Sequence, residues 1–320
     1  MHRRDVVTIL IAINDWDPQP WRERLQALLP ERAIVTPETI VDRSAVDYAL
    51  SWRHTPGAFA GLPNLKAIFS LGAGVDHLFH DSELPDVPLV RMVDADLRDR
   101  MSEWVVLHTL LHHRQQRMYD WQQDQQIWDE DVEQPAAADI RVGILGLGLL
   151  GADAARKLAT IGFDVAGWSR TPRDIDGIAC FHGEDGLDTL LARTDILVAL
   201  LPLTPQTRGM LNARLFGKLA SDGRLGGPIL LNAGRGGLQV ETDILAALDD
   251  GVLKAASLDV FEVEPLPKAS PLWRHPRVTI SPHNAAISTP DTILRAIVEQ
   301  IAAHERGEPL RNVVDRKRGY

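Results

Sequence analysis

Short apolar, β-branched runs alternate with stretches whose apolar residues recur at helical spacing over nearly the whole chain. The run VVTILIAI (residues 6–13) is followed by a helical stretch that begins near Pro20 and ends before Pro30, and then by the short strand AIVTP. AVDYALSW, LKAIFS and PLVRMV continue the series as strands, and LGAGVDHL turns on its glycines into a helix start. Apolar strands alternating with helices predict parallel sheets with helices on both faces. The pattern changes at Met101. MSEWVVLHTLLHHRQQRMYDWQQDQQIW has Trp104, Val105, Leu107 and Leu111 at helical spacing, turns polar, and contains neither Gly nor Pro. It predicts one long helix. Beyond the polar tract DEDVEQPAAAD, IRVGILGLGLLGADAARKLATIGFDVAGWSR opens a second, better-marked strand–helix–strand series. Its later strands are ILVALLP, ILLNAG, ASLDVF and VTISPH, and residues 292–304 form a last helix.

Bulk properties narrow the function classes. At roughly 150 residues per domain, a chain of 320 residues favours two domains. A formal net charge of -10 argues against nucleic acid as the partner. No window approaches the ~18 apolar residues of a membrane span. His2, Arg3 and Arg4 before the first apolar run resemble the start of a signal peptide, but that run is short and ends at Asn14-Asp15 without a cleavage pattern. It reads as a buried first strand, and the cytoplasm is the expected compartment. The single cysteine, Cys180, leaves no disulfide framework and no multi-thiolate metal site. His108 and His112 stand at i, i+4, a possible ligand spacing, but without the glutamate of the zinc-protease signature. A helix packed against the neighbouring domain is the better reading, and no metal is expected.

VGILGLGLLG places Gly146, Gly148 and Gly151 in the G-x-G-x-x-G pattern, after a strand and at the opening of a helix. Gly146 allows the tight turn, Gly148 lets the backbone approach a pyrophosphate, and Gly151 lets helix and strand pack closely. The helix opening, with Leu149 and Leu150, offers free N–H groups to the phosphates. In NAD-binding versions a carboxylate about 20 residues on holds the ribose 2′-hydroxyl. Here Ser169 occupies that strand end, followed by Arg170 and Arg173, and Asp164 lies at the strand's other end. Loss of the carboxylate removes repulsion against a 2′-phosphate, and two guanidiniums add attraction. The expected cofactor is therefore NADP(H), with NAD(H) as a possible substitute. A solvated loop edge is the alternative reading of the two arginines.

Three later strands end on chemistry. LLNAGRGGLQVE holds Arg235 between glycines, SLDVFEVEPLP offers Asp259, Glu262 and Glu264, and VTISPHNAA carries His283. Open α/β sheets bind ligands at such carboxyl ends. In this order, after the phosphate loop, these segments resemble the D-2-hydroxyacid dehydrogenase family. LGAGVDHL, GLGLLG, LLPLTPQTRGMLN, NAGRGG, LDVFEVEPLP and SPHNAA carry the resemblance, which covers essentially the whole chain. ALSWRHTP, GWSRTPR, SPLWRHPRVTISPH and VDRKRGY resemble, within that family, the glyoxylate/hydroxypyruvate reductase A group.

The resemblance implies two doubly wound α/β domains, a Rossmann-type cofactor domain (101–287) inserted into a flavodoxin-like substrate domain (1–100 and 288–320). Closure of the cleft between them would exclude water. It implies reduction of a small 2-keto acid such as glyoxylate or hydroxypyruvate by hydride transfer. Arg235 would hold the substrate carboxylate and stabilise the carbonyl oxygen. His283 would donate the proton, since a histidine's ordinary pKa of about 6.5 lets it cycle near neutrality. Its carboxylate partner would be Glu264, which directly precedes the proline, with Glu262 the weaker candidate. Backbone N–H groups of Ala73 and Gly74 would form a small anion nest, with Trp52 and Arg53 in the same substrate pocket. Leu201 and Pro202 would run beside the cofactor ribose, with Ala233 and Gly234 also on the cofactor. Asp259 would meet the nicotinamide carboxamide, or serve as a buried structural residue. Asn284 after the histidine, and Gly226-Gly227-Pro228 before a strand, depart from the family pattern. Trp121 and Trp128 among glutamines suggest an intersubunit arm and a homodimer built on the cofactor domain. Two alternatives stay open: a dehydrogenase for a different or larger D-2-hydroxy acid, and a non-catalytic dinucleotide sensor or corepressor-like module.

Overall fold

The alternation of apolar runs and helical stretches is realised as two parallel sheets. The structure, a computed structural model, describes residues 7–92, 94–130 and 133–319. His2, Arg3, Arg4, Val6, Val93, Asp131, Val132 and Tyr320, which belong to segments read above, lie outside the described residues. The chain divides into two compact units, Met1–Asp96 with Ser288–Tyr320, and Leu97–Ile287.

The first unit holds β1 (Thr8–Ile13), β2 (Ala33–Val35), β3 (Val46–Trp52), β4 (Ala67–Ser70) and β5 (Leu89–Val90), ordered β2-β1-β3-β4-β5 and all parallel. Ile9, Ile11 and Ile13 face one side of the sheet, Leu10 and Ala12 the other, and all are buried. Burial on both faces explains why the first strand reads as a continuous apolar run. One side is covered by α1 (Gln19–Leu28) and the chain's last helix (Pro290–Glu305) through Trp21, Leu25, Ile293, Leu294 and Ile297. The other side carries Phe59, Leu62, Leu65 and a 3-10 turn at Asp76–His80 in place of long helices. The strand expected over PLVRMV is reduced to Leu89–Val90. Beyond it, Arg91 and Met92 donate their N–H groups to Asn312 O and Gly72 O, which belong to no strand. The segment VDRKR packs along β5: Val314 N–H donates to Leu89 O at 2.8 Å, and the Arg316 guanidinium donates to the Pro85 and Val87 carbonyls.

The second unit opens with α2 (Ala95–His113) and α3 (Gln116–Asp124), then builds a seven-stranded parallel sheet. Its strands are β6 (Arg141–Leu145), β7 (Asp164–Ser169), β8 (Ala179–His182), β9 (Ile196–Ala199), β10 (Ile229–Asn232), β11 (Ala255–Leu258) and β12 (Val278–Ile280). The order β12-β11-β10-β9-β6-β7-β8 is the doubly wound dinucleotide-binding order with one further strand, and its direction reverses between β6 and β9. Between them run α4 (Leu149–Ile161), α5 (Gly183–Ala192), α6 (Ala213–Phe216) and α7 (Glu241–Asp249), and the helix after Ser288 becomes α8. One face of the sheet packs on α2 and α4 through Trp104, Val105, Ala155 and Leu158, the other on α5, α6 and α7 through Leu190, Phe216, Ile244 and Leu248.

One expectation needs correction. The long helix is broken: α2 ends at His113, Gln115 takes a left-handed φ of 54°, and α3 starts again at Gln116. The buried stripe of α2 ends at His112 and His113. The polar residues beyond have little apolar area to hold the axis, while Arg117 is bonded to Thr279 Oγ1 at 2.9 Å and Pro276 O at 3.2 Å. His108 Nδ1 and His112 Nε2 both share Ser257 Oγ, at 2.9 and 2.8 Å, so they dock α2 on β11 of their own unit. The edge strand β8 has no counterpart in the sequence reading; it is short and only half-buried, so its apolar signal is weak. No helix among the described residues is long and apolar enough to cross a membrane.

Candidate active site

The glycines of GLGLLG have three different structural reasons. Gly146 has φ +105°, and a Cβ there would lie 2.8 Å from Leu200 O. Its N–H donates to Trp168 O at 2.8 Å, which ties the loop to the end of β7. At Gly151 a Cβ would stand 2.0 Å from Gly146 O, so only glycine lets α4 start so close to β6. Gly148 differs: a Cβ there would meet nothing within 4 Å. The protein's own packing does not require glycine at this position, whereas a phosphate brought against the backbone does. Gly148 is also the N-cap of α4, and no side chain caps that end. The N–H groups of the first turn, with Leu149 exposed and Leu150 half-buried, stay available to an anion at the positive end of the helix. The loop sits at the point where the strand order reverses, and Leu201 and Pro202 follow β9 on the other side of that point. These residues fit a dinucleotide pyrophosphate.

At the end of β7, Ser169 is half-buried and its Oγ donates to Thr171 O at 2.7 Å. Arg170 and Arg173 are exposed on the following loop. Asp164 is at the far end of the strand, paired with Arg193, so it is not a ribose ligand. The register of β7 and β8 sets His182 opposite Ser169, a neighbour the sequence reading missed along with its strand.

Arg235, Glu264 and His283 lie on the loops that follow β10, β11 and β12, which are neighbours in the sheet. The glycines beside Arg235 are required by packing. A Cβ at Gly234 would stand 2.9 Å from Leu201 O, and one at Gly236 would stand 1.7 Å from Phe261 O. The Arg235 loop is thereby pressed against the segment leading to Glu264. Buried Gln239 stitches the same loops: its Oε1 accepts from Asn232 Nδ2 at 2.8 Å, and its Nε2 donates to Val260 O at 3.0 Å. An isolated Gln in a loop carries no sequence signal for such a role.

His283 Nδ1 meets Glu264 Oε2 at 2.7 Å, while Glu264 Oε1 accepts the Phe261 N–H at 3.1 Å. The less favoured partner, Glu262, is engaged elsewhere. Its Oε1 accepts the Glu241 N–H at 2.7 Å, and Glu241 Oε1 accepts the Glu262 N–H at 2.8 Å. His283 has φ +52°, a left-handed conformation rare outside glycine. It persists because Asp259 holds the loop on both sides of it. Asp259 is 1% exposed, its backbone O accepts the His283 N–H at 2.8 Å, and its carboxylate accepts from Ser281 Oγ, Asn284 N and Ala285 N at 2.6 to 3.1 Å. The Asn284 departure thus contributes a backbone N–H. Asp259 thus holds the loop from a buried position. Ser281 in turn accepts from Trp104 Nε1 at 3.0 Å, so α2 supports the same loop.

In the first unit, Trp52 closes β3 and is half-buried. Ala73 and Gly74 follow β4, and among the described residues no acceptor takes either N–H group. They are partly exposed, as an anion nest requires. Among the described residues no group of three or more His, Cys, Asp or Glu side chains is placed to hold a metal ion.

Residues 106–285 match the family described as D-isomer specific 2-hydroxyacid dehydrogenase, NAD binding domain. The chain belongs to that family. Glyoxylate/hydroxypyruvate reductase A of Yersinia enterocolitica is 40% identical over 311 residues, which are 95% of this chain and 97% of that one. The crystal structure of an NADPH-dependent glyoxylate/hydroxypyruvate reductase from Sinorhizobium meliloti, in complex with NADP and sulfate, is 48% identical. It superposes with a TM-score of 0.92, covering 98% of this chain and all of that one. A probable 2-hydroxyacid dehydrogenase from Rhizobium etli, in complex with NADP, HEPES and L(+)-tartaric acid, is 46% identical, with a TM-score of 0.93 over 98% of this chain and 100% of that one. The phosphate loop, the loop after β7 and the three strand-end loops all lie in the second unit, within or just beside the residues that the family matches.

Proposed function

We propose that this chain catalyses the NADPH-dependent reduction of small 2-keto acids, glyoxylate to glycolate and hydroxypyruvate to glycerate. The observation that carries the reading is the His283–Glu264 pair at 2.7 Å, on strand-end loops beside that of Arg235. The NADP-bound relative at 48% identity supports the cofactor. When bound, the nicotinamide supplies the hydride that reduces the carbonyl carbon. Arg235 binds the substrate carboxylate and stabilises the oxygen on which negative charge develops. His283 delivers a proton to that oxygen from Nε2, because Nδ1 is held by Glu264. The product is the 2-hydroxy acid. Ser169, Arg170 and Arg173 receive the 2′-phosphate, which makes NADP(H) the preferred cofactor over NAD(H). Gly146, Gly148, Leu149, Leu150 and Gly151 bind the pyrophosphate, with Leu201, Pro202, Ala233, Gly234 and Asp259 beside the rest of the cofactor. Trp52 and the Ala73 and Gly74 N–H groups hold the substrate.

Measuring NADPH oxidation by the purified chain against a panel of 2-keto acids tests this reading. Turnover of glyoxylate and hydroxypyruvate is expected, and silence with every small 2-keto acid would sink it. A sensor has no use for the oriented histidine, which disfavours the non-catalytic alternative. A larger 2-hydroxy acid is disfavoured by the reductase relatives.

The second unit is the surface for a homodimer in this reading. Leu107, Trp121 and Trp128 are 60%, 57% and 88% exposed on α2, α3 and the segment after it, and such side chains cluster at subunit contacts. Light scattering at the mass of one chain would remove this part. The reading places the enzyme in the cytoplasm.

A further inference from the structure

The loops after β1 and β3 are built as one piece. The two strands pair in parallel with Ile13 opposite Trp52. Just beyond, Asn14 N–H donates to Trp52 O at 2.9 Å and Asn14 Nδ2 donates to Arg53 O at 2.8 Å. The Arg53 guanidinium pairs with the Asp15 carboxylate at 3.1 Å. Asp15 and Arg53 both have positive φ, +66° and +46°. Side-chain-bearing residues keep that conformation where their surroundings over-determine it, and such positions gather at ligand sites. The pair sits at the carboxyl ends of β1 and β3, where the order β2-β1-β3-β4-β5 reverses, the place where open α/β sheets take ligands.

Three tryptophans form a column there. Trp16 stacks on Trp52 with centroids 4.5 Å apart and planes 11° apart. Trp16 also stacks on Trp21 at 5.7 Å and 6°. Trp21 is buried in α1, so the column is anchored in the core of the unit. Trp52 is also flanked by three further neighbours. A Cβ on Gly72 would lie 2.7 Å from Trp52 Cζ3, the His77 ring is 5.2 Å away, and the Arg53 guanidinium lies 5.9 Å from the ring centre. Trp16 itself is 41% exposed, more than a residue kept for core packing alone.

We propose that Trp16 is a specificity-determining residue: it fixes Trp52 as a rigid wall and so limits the substituent on the substrate's carbonyl carbon to small groups. The inference rests on the reading of Trp52 as a substrate-binding residue. Without Trp16, the Trp52 ring gains the volume beside it and can rotate away, which opens the pocket to bulkier 2-keto acids. The wall rejects size through packing, and packing alone discriminates by about 10- to 200-fold.

Steady-state kinetics with NADPH test it on wild type, Trp16→Ala and Trp16→Phe, using glyoxylate and phenylpyruvate. In Trp16→Ala the ratio of kcat/KM for phenylpyruvate to that for glyoxylate should rise about tenfold or more. Trp16→Phe keeps a stacking ring and should return the ratio to near the wild-type value. The KM for NADPH should stay unchanged in both. An unaltered ratio in a folded Trp16→Ala protein overturns the proposal. Should that variant not fold, Trp16→Leu, which keeps apolar volume but not the stack, is read by the same criterion. Trp52→Ala separates the two levels. If it leaves the ratio untouched, the reading of Trp52 fails and this inference fails with it. If it moves the ratio while Trp16→Ala does not, only the role of Trp16 is lost.

Discussion

His283 and Glu264, 19 positions apart in sequence, meet at 2.7 Å through Nδ1 and Oε2. The contact is possible because β11 and β12 are parallel neighbours, so both loops leave the same edge of the sheet. The carboxylate is held twice, since its other oxygen accepts the Phe261 N–H. A carboxylate fixed in this way orients the ring and engages Nδ1, so the proposed proton transfer falls to Nε2.

Replacing His283 by Ala should lower kcat by about 10²- to 10⁴-fold, the usual worth of a positioned proton donor. NADPH binding, followed by nucleotide fluorescence, should survive. Turnover near the wild-type value would remove His283 from the mechanism.

Glu264 and Glu262 are distinguished by their partners. Glu264→Gln should reduce kcat about tenfold or more, because the ring loses its charged acceptor. Glu262→Gln should leave kcat within about twofold, since that carboxylate caps α7 through the Glu241 N–H. Equal effects on kcat would show that the pairing seen here does not carry the chemistry.

Arg170 and Arg173 follow Ser169 on an exposed loop. Changing both to Ala should raise the KM for NADPH by about tenfold or more, in line with charge-assisted hydrogen bonds of about 1.5–3 kcal/mol each. The KM for NADH should hardly move. A variant in which both constants rise together would place the arginines outside the 2′-phosphate site.

Gly236 has no room for a side chain, because a Cβ would stand 1.7 Å from Phe261 O. The atom it meets is backbone, so Gly236→Ala must shift a loop. We expect a loss of about 1–3 kcal/mol in stability and a fall in kcat as Arg235 moves with its loop. Thermal melts and kinetics on the same sample check both, and an unchanged melting point would contradict the packing described.

Burial pushes His108 down to about 4 and His112 down to about 3. Both are neutral in the folded chain near pH 7, while unfolded histidines titrate near 6.5. Below that pH the unfolded state binds more protons, so stability is full above pH 6.5. It is lost as the pH falls through the window down to about 4 for His108 and about 3 for His112. Each such proton is worth about 1.4 kcal/mol per pH unit. The melting temperature should therefore drop from pH 7 to pH 5, and His112→Asn should flatten that slope. A slope identical to wild type would mean that His112 does not drive it.

How much was legible depended on whether the signal was local. The phosphate loop could be read because its glycines answer to backbone contacts within a few residues, as Gly151 does to Gly146 O. Arg235, Asp259 and His283 stood out because each closely follows an apolar strand, whereas Glu264, further along its loop, came from the family resemblance. The break at Gln115 could not, because the stretch has no Gly or Pro, and the anchor of α3 is Arg117 on Thr279 and Pro276, far along the chain. Nor could the column Trp21–Trp16–Trp52, which forms only when β1 and β3 are set in register.

The amino-acid order by itself determined the two α/β series, the family, and the residue types at each strand end, since these follow from apolar periodicity and short-range backbone demands. Tertiary structure alone decided which partners those residues take. It gave Asp259 the loop that holds His283 in its left-handed conformation, and turned His108 and His112 onto Ser257. The physical reason is the same in each case. A hydrogen bond acts over about 3 Å, and strand order in the sheet, not distance along the chain, brings such groups that close.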